Sequence, residues 1–76
     1  NVFAGNYYTA LKGEKEITIK LNDKYNELGA KATDKEGNDI SNKIEIDSEV
    51  DTTKKGTYKV YYSIGNYINV RYVTVE

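Results

Sequence analysis

The 76-residue sequence predicts an all-β sandwich, and three observations carry that expectation. Apolar and polar residues alternate with a period of two in segment after segment. The β-branched and aromatic residues that suit a pleated surface are abundant, with eight tyrosines among them. Turn residues recur at roughly 8–12-residue spacing, the rhythm of short strands in a sandwich or small barrel. No window repeats apolar residues at helical spacing over several turns.

Taken in order, Tyr8-Thr-Ala-Leu11 reads as a short first strand ended by Lys12-Gly13. Glu16 to Leu21 alternates cleanly, with Ile17, Ile19 and Leu21 on one face, and Asn22-Asp23 supplies a turn. Gly29-Ala-Lys-Ala-Thr33 is a strand whose inward residues are small, which lets the facing sheet approach or leaves room for a large Tyr. The Asp34–Asp39 segment is a polar loop. Lys43 to Asp47 alternates again, with Ile44 and Ile46 inward. Thr57–Ile64 and Tyr67–Val75 are the strongest strands, and Gly65-Asn66 between them suits a type II′ hairpin, so the two pair antiparallel. In the last strand Ile68 and Val70 point to one face and Val73 and Val75 to the other. A bulge near Arg71-Tyr72 reconciles them and is the reading favoured here; burial on both faces is the alternative.

Length and composition exclude much. A chain this short makes one domain, 1–76, with 1–6 as a linker or tail, and buries only about 60% of its unfolded surface. The formal net charge of −1 gives no basic field for nucleic acid. No apolar run is long enough to span a bilayer, so no membrane insertion is expected. The start, Asn1-Val-Phe-Ala-Gly5, shows neither the charged nor the apolar region of a leader, and a fragment of a longer exported parent is expected. Cys and His are absent, which removes disulfides, thiolate nucleophiles, the usual general base and the commonest metal ligand. The serines at 41, 48 and 63 have no His to activate them. Asp47 and Glu49 are drawn as an acid/base pair only where a cleft exists to shift a pKa, and so small a sandwich offers none. No enzyme and no cofactor are expected.

The most telling segment is Asp51-x4-Gly56-x-Tyr58-x-Val60. Gly56 lets the chain swing between sheets, and the next strand begins with a ring two residues from a core aliphatic. In immunoglobulin-like sandwiches a Tyr at that corner bonds back to upstream backbone. Tyr58 takes that role here, with Val60 where antibody domains place cysteine; the plainer alternative is an ordinary buried strand Tyr.

With these residues stand Leu11-Lys-Gly13, Tyr25-Asn-Glu-Leu-Gly29-Ala-Lys-Ala-Thr-Asp34, Gly37-Asn-Asp-Ile40, Ile44, Val50-Asp-Thr52 and Gly56-Thr-Tyr-Lys-Val60-x-Tyr62. In that order they resemble the bacterial immunoglobulin-like repeats, of the group-3 type, found in Gram-positive surface and secreted proteins and in some crystal toxins. The resemblance runs from about Tyr8 to Val75. It implies an immunoglobulin-like sandwich of about seven short, mainly antiparallel strands, and a scaffold, spacer or adhesion-associated module with no shared active site; a monomer is expected. Members commonly carry a proline at the first strand and a longer loop before the last; this chain has no proline and closes that loop on Gly65-Asn66.

Three candidate sites remain. Asp34, Glu36, Asn38 and Asp39 are oxygen donors for Ca²⁺, but Ca²⁺ takes 6–8 oxygens, roughly, in a defined cage, and a solvated turn explains the same residues. Tyr61, Tyr67 and Tyr72 are candidate ligand contacts: Tyr61 faces outward by alternation, while the other two depend on the parity of the last strand. Packing between modules is the alternative reading of all three. An internal isopeptide bond from Lys12, Lys15 or Lys20 to Asn69 needs a buried Lys, which is costly. The function expected is a spacer that positions neighbouring domains at an extracellular or cell-surface location. The alternative is an adhesion module that binds glycan or a host protein through exposed Tyr or a sheet edge.

Overall fold

A computed structural model describes residues 7–76, and the linker expected at 1–6 lies outside them. Among the described residues six strands form: β1 Tyr7–Leu11, β2 Glu16–Ile19, β3 Ala30–Asp34, β4 Glu45–Ser48, β5 Gly56–Ile64 and β6 Tyr67–Val75. A 3₁₀ turn, Ser41–Lys43, precedes β4. β1 and β3 make a two-stranded antiparallel sheet, and β2-β6-β5-β4 make the sheet that faces it. A seventh extended piece, around Asp39, bridges the free edge of β3 at Thr33. The Ser41 hydroxyl continues it by accepting from the Ala32 N–H at 2.9 Å.

The β5–β6 hairpin is the spine. Gly65 takes φ +57°, as the first central position of a type II′ turn requires. A Cβ there would lie 2.8 Å from the Tyr7 ring, so the position needs glycine for space as well. From Ile64↔Tyr67 to Gly56↔Val75 the register runs without interruption, so β6 has no bulge. The favoured reading of the last strand is corrected, and so is the two-sided alternative. Arg71, Val73 and Val75 all point into the core, while Ile68, 65% exposed, faces solvent with Val70 on the outer side.

Alternation places Val60, Tyr62 and Ile64 of β5 on the same inner face. Val60 and Val73 are fully buried and pack with Ala30 and Tyr62. Each buried valine removes enough apolar surface to stabilise the fold by about 2 kcal/mol. The small Ala30 and Ala32 admit the bulk opposite them: Tyr62 fills the space over Ala30, and Ile64 with Ile40 packs on Ala32. Ile44 touches both clusters, as alternation predicts. Ile46, expected inward, is 47% exposed. It lies opposite the buried Tyr62, but a two-stranded sheet is too narrow to cover the β4 edge.

The first strand changes sheets. β1 pairs with β3, the chain turns through Lys12–Lys15, and β2 then pairs parallel with β6 from Glu16↔Tyr72 to Ile19↔Val75. The switch turns at Gly13, whose φ is +78° and whose missing Cβ leaves room for the Leu28 side chain. β1 also lies alongside the first half of β6: the Tyr7 and Tyr67 rings meet edge-on at 5.8 Å, and Asn69 Nδ2 donates to Thr9 Oγ1 at 2.8 Å. The described chain therefore enters at the hairpin pole and leaves β6 at the opposite pole. At the strand rise of about 3.3 Å per residue, β6 alone separates the two poles by roughly 26 Å.

Candidate functional site

The inner face of β6 brings a charge into the core. Arg71 is the chain's one arginine and is completely buried, stacked with its guanidinium carbon 5.4 Å from the Tyr62 ring centre. Its Nη2 donates to the carbonyl of Lys12, in the sheet switch, and to that of Gly29 at 3.3 Å, just before β3. Its Nη1 lies 3.9 Å from Glu27 Oε2. Nε and Nη1 have no protein acceptor within hydrogen-bond distance. The Glu27 carboxylate accepts from the Gly29 N–H at 2.8 Å, from the Tyr25 hydroxyl at 3.1 Å and from the Tyr62 hydroxyl. One polar knot thus joins β5, β6, the sheet switch and the segment leading into β3.

Electrostatics follow from the packing. Burial, and then the hydrogen bond to the Glu27 carboxylate, drive the Tyr62 hydroxyl far above the ordinary phenol value. Tyr25 is raised chiefly by burial, with Glu27 adding to it. Both phenols hold their protons and act as donors to Glu27. The knot is a fastening of neutral donors, a carboxylate and a guanidinium, with its groups turned on one another.

The Asp51–Val60 segment forms a second polar device from one run of chain. Asp51 Oδ1 accepts from the Thr53 N–H at 3.0 Å and the Thr53 hydroxyl at 2.6 Å, which holds the turn and lowers the Asp51 pKa. The turn presents the Lys54 carbonyl, and the Tyr58 hydroxyl donates to it at 2.7 Å. Gly56 opens β5, and Tyr58 is half-buried where full burial was expected, because it sits at the end of the sandwich; Val60 is fully buried.

The acidic loop is differently arranged. Asp34 accepts from the N–H groups of Glu36 and Asn38 at 3.0 and 2.9 Å and from Asn38 Nδ2 at 3.1 Å. The Asn38 bonds are the main reason its pKa is lowered. Asp39 accepts from the Ser41 N–H at 2.9 Å, and bonding to Ser41 lowers its pKa also. These carboxylates shape turns, and among the described residues no three acidic side chains gather as a metal would require. The isopeptide geometry is likewise not assembled: Lys12, Lys15 and Lys20 are exposed, and the Asn69 amide is bonded to Thr9.

The three candidate tyrosines separate. Tyr67 points inward at the hairpin pole and packs on the Ala32, Ile40 and Ile64 cluster. Tyr61 and Tyr72 lie half-exposed on the outer face of the four-stranded sheet, opposite Val70 and Lys59. They are diagonal neighbours, about 7 Å apart by strand geometry. Lys15 Nζ stands 6.0 Å over the Tyr72 ring. Beside Tyr72 is an open depression of about 350 Å³ lined by Glu16, Ile17, Thr18, Thr57 and Thr74.

The sequence reading missed Arg71 and Glu27. A signal existed for Arg71: with Val73 and Val75 inward, strict alternation puts residue 71 inward as well. Glu27 had none, since its two long-range partners, Tyr62 and Arg71, lie on distant strands.

Comparison with known proteins fits this architecture. No curated protein matches the chain. Among solved structures, a lipoprotein of Bacteroides thetaiotaomicron superposes with a TM-score of 0.81 at 24% identity, over 91% of this chain and 37% of that one. Two structures from Clostridium perfringens ZmpB match at 27% identity. One, of the M60 catalytic domain with the CBM51-1 and CBM51-2 domains, gives a TM-score of 0.63 over 88% of this chain and 8% of that one. The other, of CBM51-2 in complex with GlcNAc and INT domains, gives 0.64 over 90% and 16%. This chain thus spans a minor part of each of these three chains. The model of the bacterial surface protein Ig-like domain matches residues 9–75, and the chain belongs to that family.

Proposed function

We propose that this domain is a non-catalytic spacer, holding neighbouring domains of a longer bacterial surface or exported protein at a set separation. The observation that carries the reading is the placement of the two ends of the described residues: Tyr7 lies beside the Gly65–Asn66 turn and β6 ends at the opposite pole. A domain threaded in this way adds its own length between whatever lies before and after it. The similar structures support the reading, because each spans far more chain than this domain does. The polar knot and the polar corner serve the same end, since both hold backbone segments in place.

The test is a distance. With the chain placed between two fluorescent reporter domains, energy transfer should report one narrow separation that collapses to a broad distribution on adding denaturant. A broad distribution in native buffer would contradict a spacer. A second reading rests on Tyr61 and Tyr72, two half-exposed rings on one face beside a hydroxyl-lined depression. A glycan would stack there. Glycan-array binding lost in Tyr61→Ala and Tyr72→Ala with an unchanged melting temperature would favour it.

A further inference from the structure

On the spacer reading, we propose that the parallel β2–β6 ladder, latched by Arg71 onto the Lys12 carbonyl, is a clamp that bears tension along the chain. The direction of the strands carries the argument. β2 is reached from the hairpin pole through β1, and β6 runs out to the opposite pole, yet the two strands lie parallel. Pulling the ends apart slides β2 against β6, so the whole ladder is loaded at once. Its bonds run from the Tyr72 N–H to the Lys15 carbonyl at 2.9 Å down to the Glu76 N–H on Ile19 at 3.0 Å and the Leu21 N–H on Glu76 at 2.9 Å. Bonds loaded together must fail together, whereas a ladder pulled from one end loses them singly.

Arg71 sits where tension coming down β1 first meets this ladder. Its guanidinium grips Lys12 before the chain joins β2, and the Lys12 N–H donates to the Gly29 carbonyl at 3.0 Å, which Arg71 also contacts. A buried guanidinium is a poor choice for equilibrium stability alone, because an apolar side chain fills the same space without desolvating a charge. As a latch it does what an apolar residue does not: it ties the backbone of the switch to β6 by a directional bond.

The experiment is single-molecule force spectroscopy on the folded chain along two axes. The first pulls through the two ends. The second pulls between residue 23, as Asp23→Cys in a chain with no other cysteine, and the C-terminus, which peels β2 and β6 apart from one end. The unfolding force should be about twofold or more higher through the two ends. Arg71→Met should lower the end-to-end force and leave the peeling force unchanged. Equal forces along both axes in the unaltered chain would overturn the clamp, whether or not the Arg71 variant folds. A loss of force shared equally by both axes in Arg71→Met would overturn the latch. A narrow reporter distance with equal forces would leave the spacer reading standing and remove only the clamp.

Discussion

The two polar fastenings of this domain are built in opposite ways. The Asp51–Tyr58 corner lies in a single run of eight residues, sits at the end of the sandwich and bonds through exposed groups. The Arg71 knot draws Lys12, Glu27, Gly29, Tyr62 and Arg71 from four parts of the chain and is centred on the buried Arg71 and Tyr62, with Glu27 at its exposed rim. A local device shapes a turn and is cheap to lose, because water replaces its bonds. A non-local device holds segments that nothing else joins, and its loss strands buried groups.

The largest expected effect is at Arg71. Arg71→Ala removes a fully buried side chain, opens a cavity and leaves the Lys12 carbonyl without its side-chain donor; denaturant unfolding should show a loss of about 4 kcal/mol. Glu27→Ala should cost about 2 kcal/mol, less because water reaches that carboxylate more readily. Tyr58→Phe removes one hydrogen bond at the sandwich end and should cost no more than about 1 kcal/mol. If Tyr58→Phe proved as damaging as Arg71→Ala, the contrast between the two devices would be broken.

pH separates them as well. Asp34, Asp39 and Asp51 have lowered folded pKa values, so their contribution is present above the unfolded carboxylate value and fades as pH falls through the folded one. The melting temperature should therefore hold down to about pH 4 and then fall. Tyr62 is shifted the other way. Its contribution is complete below the unfolded phenol value and is lost as pH rises above it, so an alkaline decline should begin near about pH 10. Tyr62→Phe should flatten the alkaline limb and leave the acid limb alone, and Asp51→Asn should do the reverse. The smallest effect expected is at Tyr61→Ala, on the outer face, where stability should change by less than about 1 kcal/mol.

The same contrast decides what was legible in the sequence. The hairpin around Gly65-Asn66 and the alternation of β5 are local patterns, and the structure places those elements where the patterns put them. The outer position of Ile68 and the inner position of Arg71 were hidden by an assumption that aliphatic residues point inward and charges outward. Strict alternation was the better guide, since a one-residue bulge would have broken an otherwise continuous ladder. Ile46 misled for another reason: its phase is inward, but the sheet opposite is one strand too narrow to cover it. The knot itself depends on which loop passes over which strand, and no spacing in the sequence encodes the approach of Glu27 to Tyr62.

A double-mutant cycle on Glu27 and Arg71 tests the central claim most directly, because it measures whether the knot acts as one unit. With Glu27→Gln, Arg71→Met and the pair compared by denaturant unfolding, an interaction energy of about 1–2 kcal/mol is expected. Losses that simply add, within about 0.3 kcal/mol, would show that the two residues act apart and that no clasp holds the sheets.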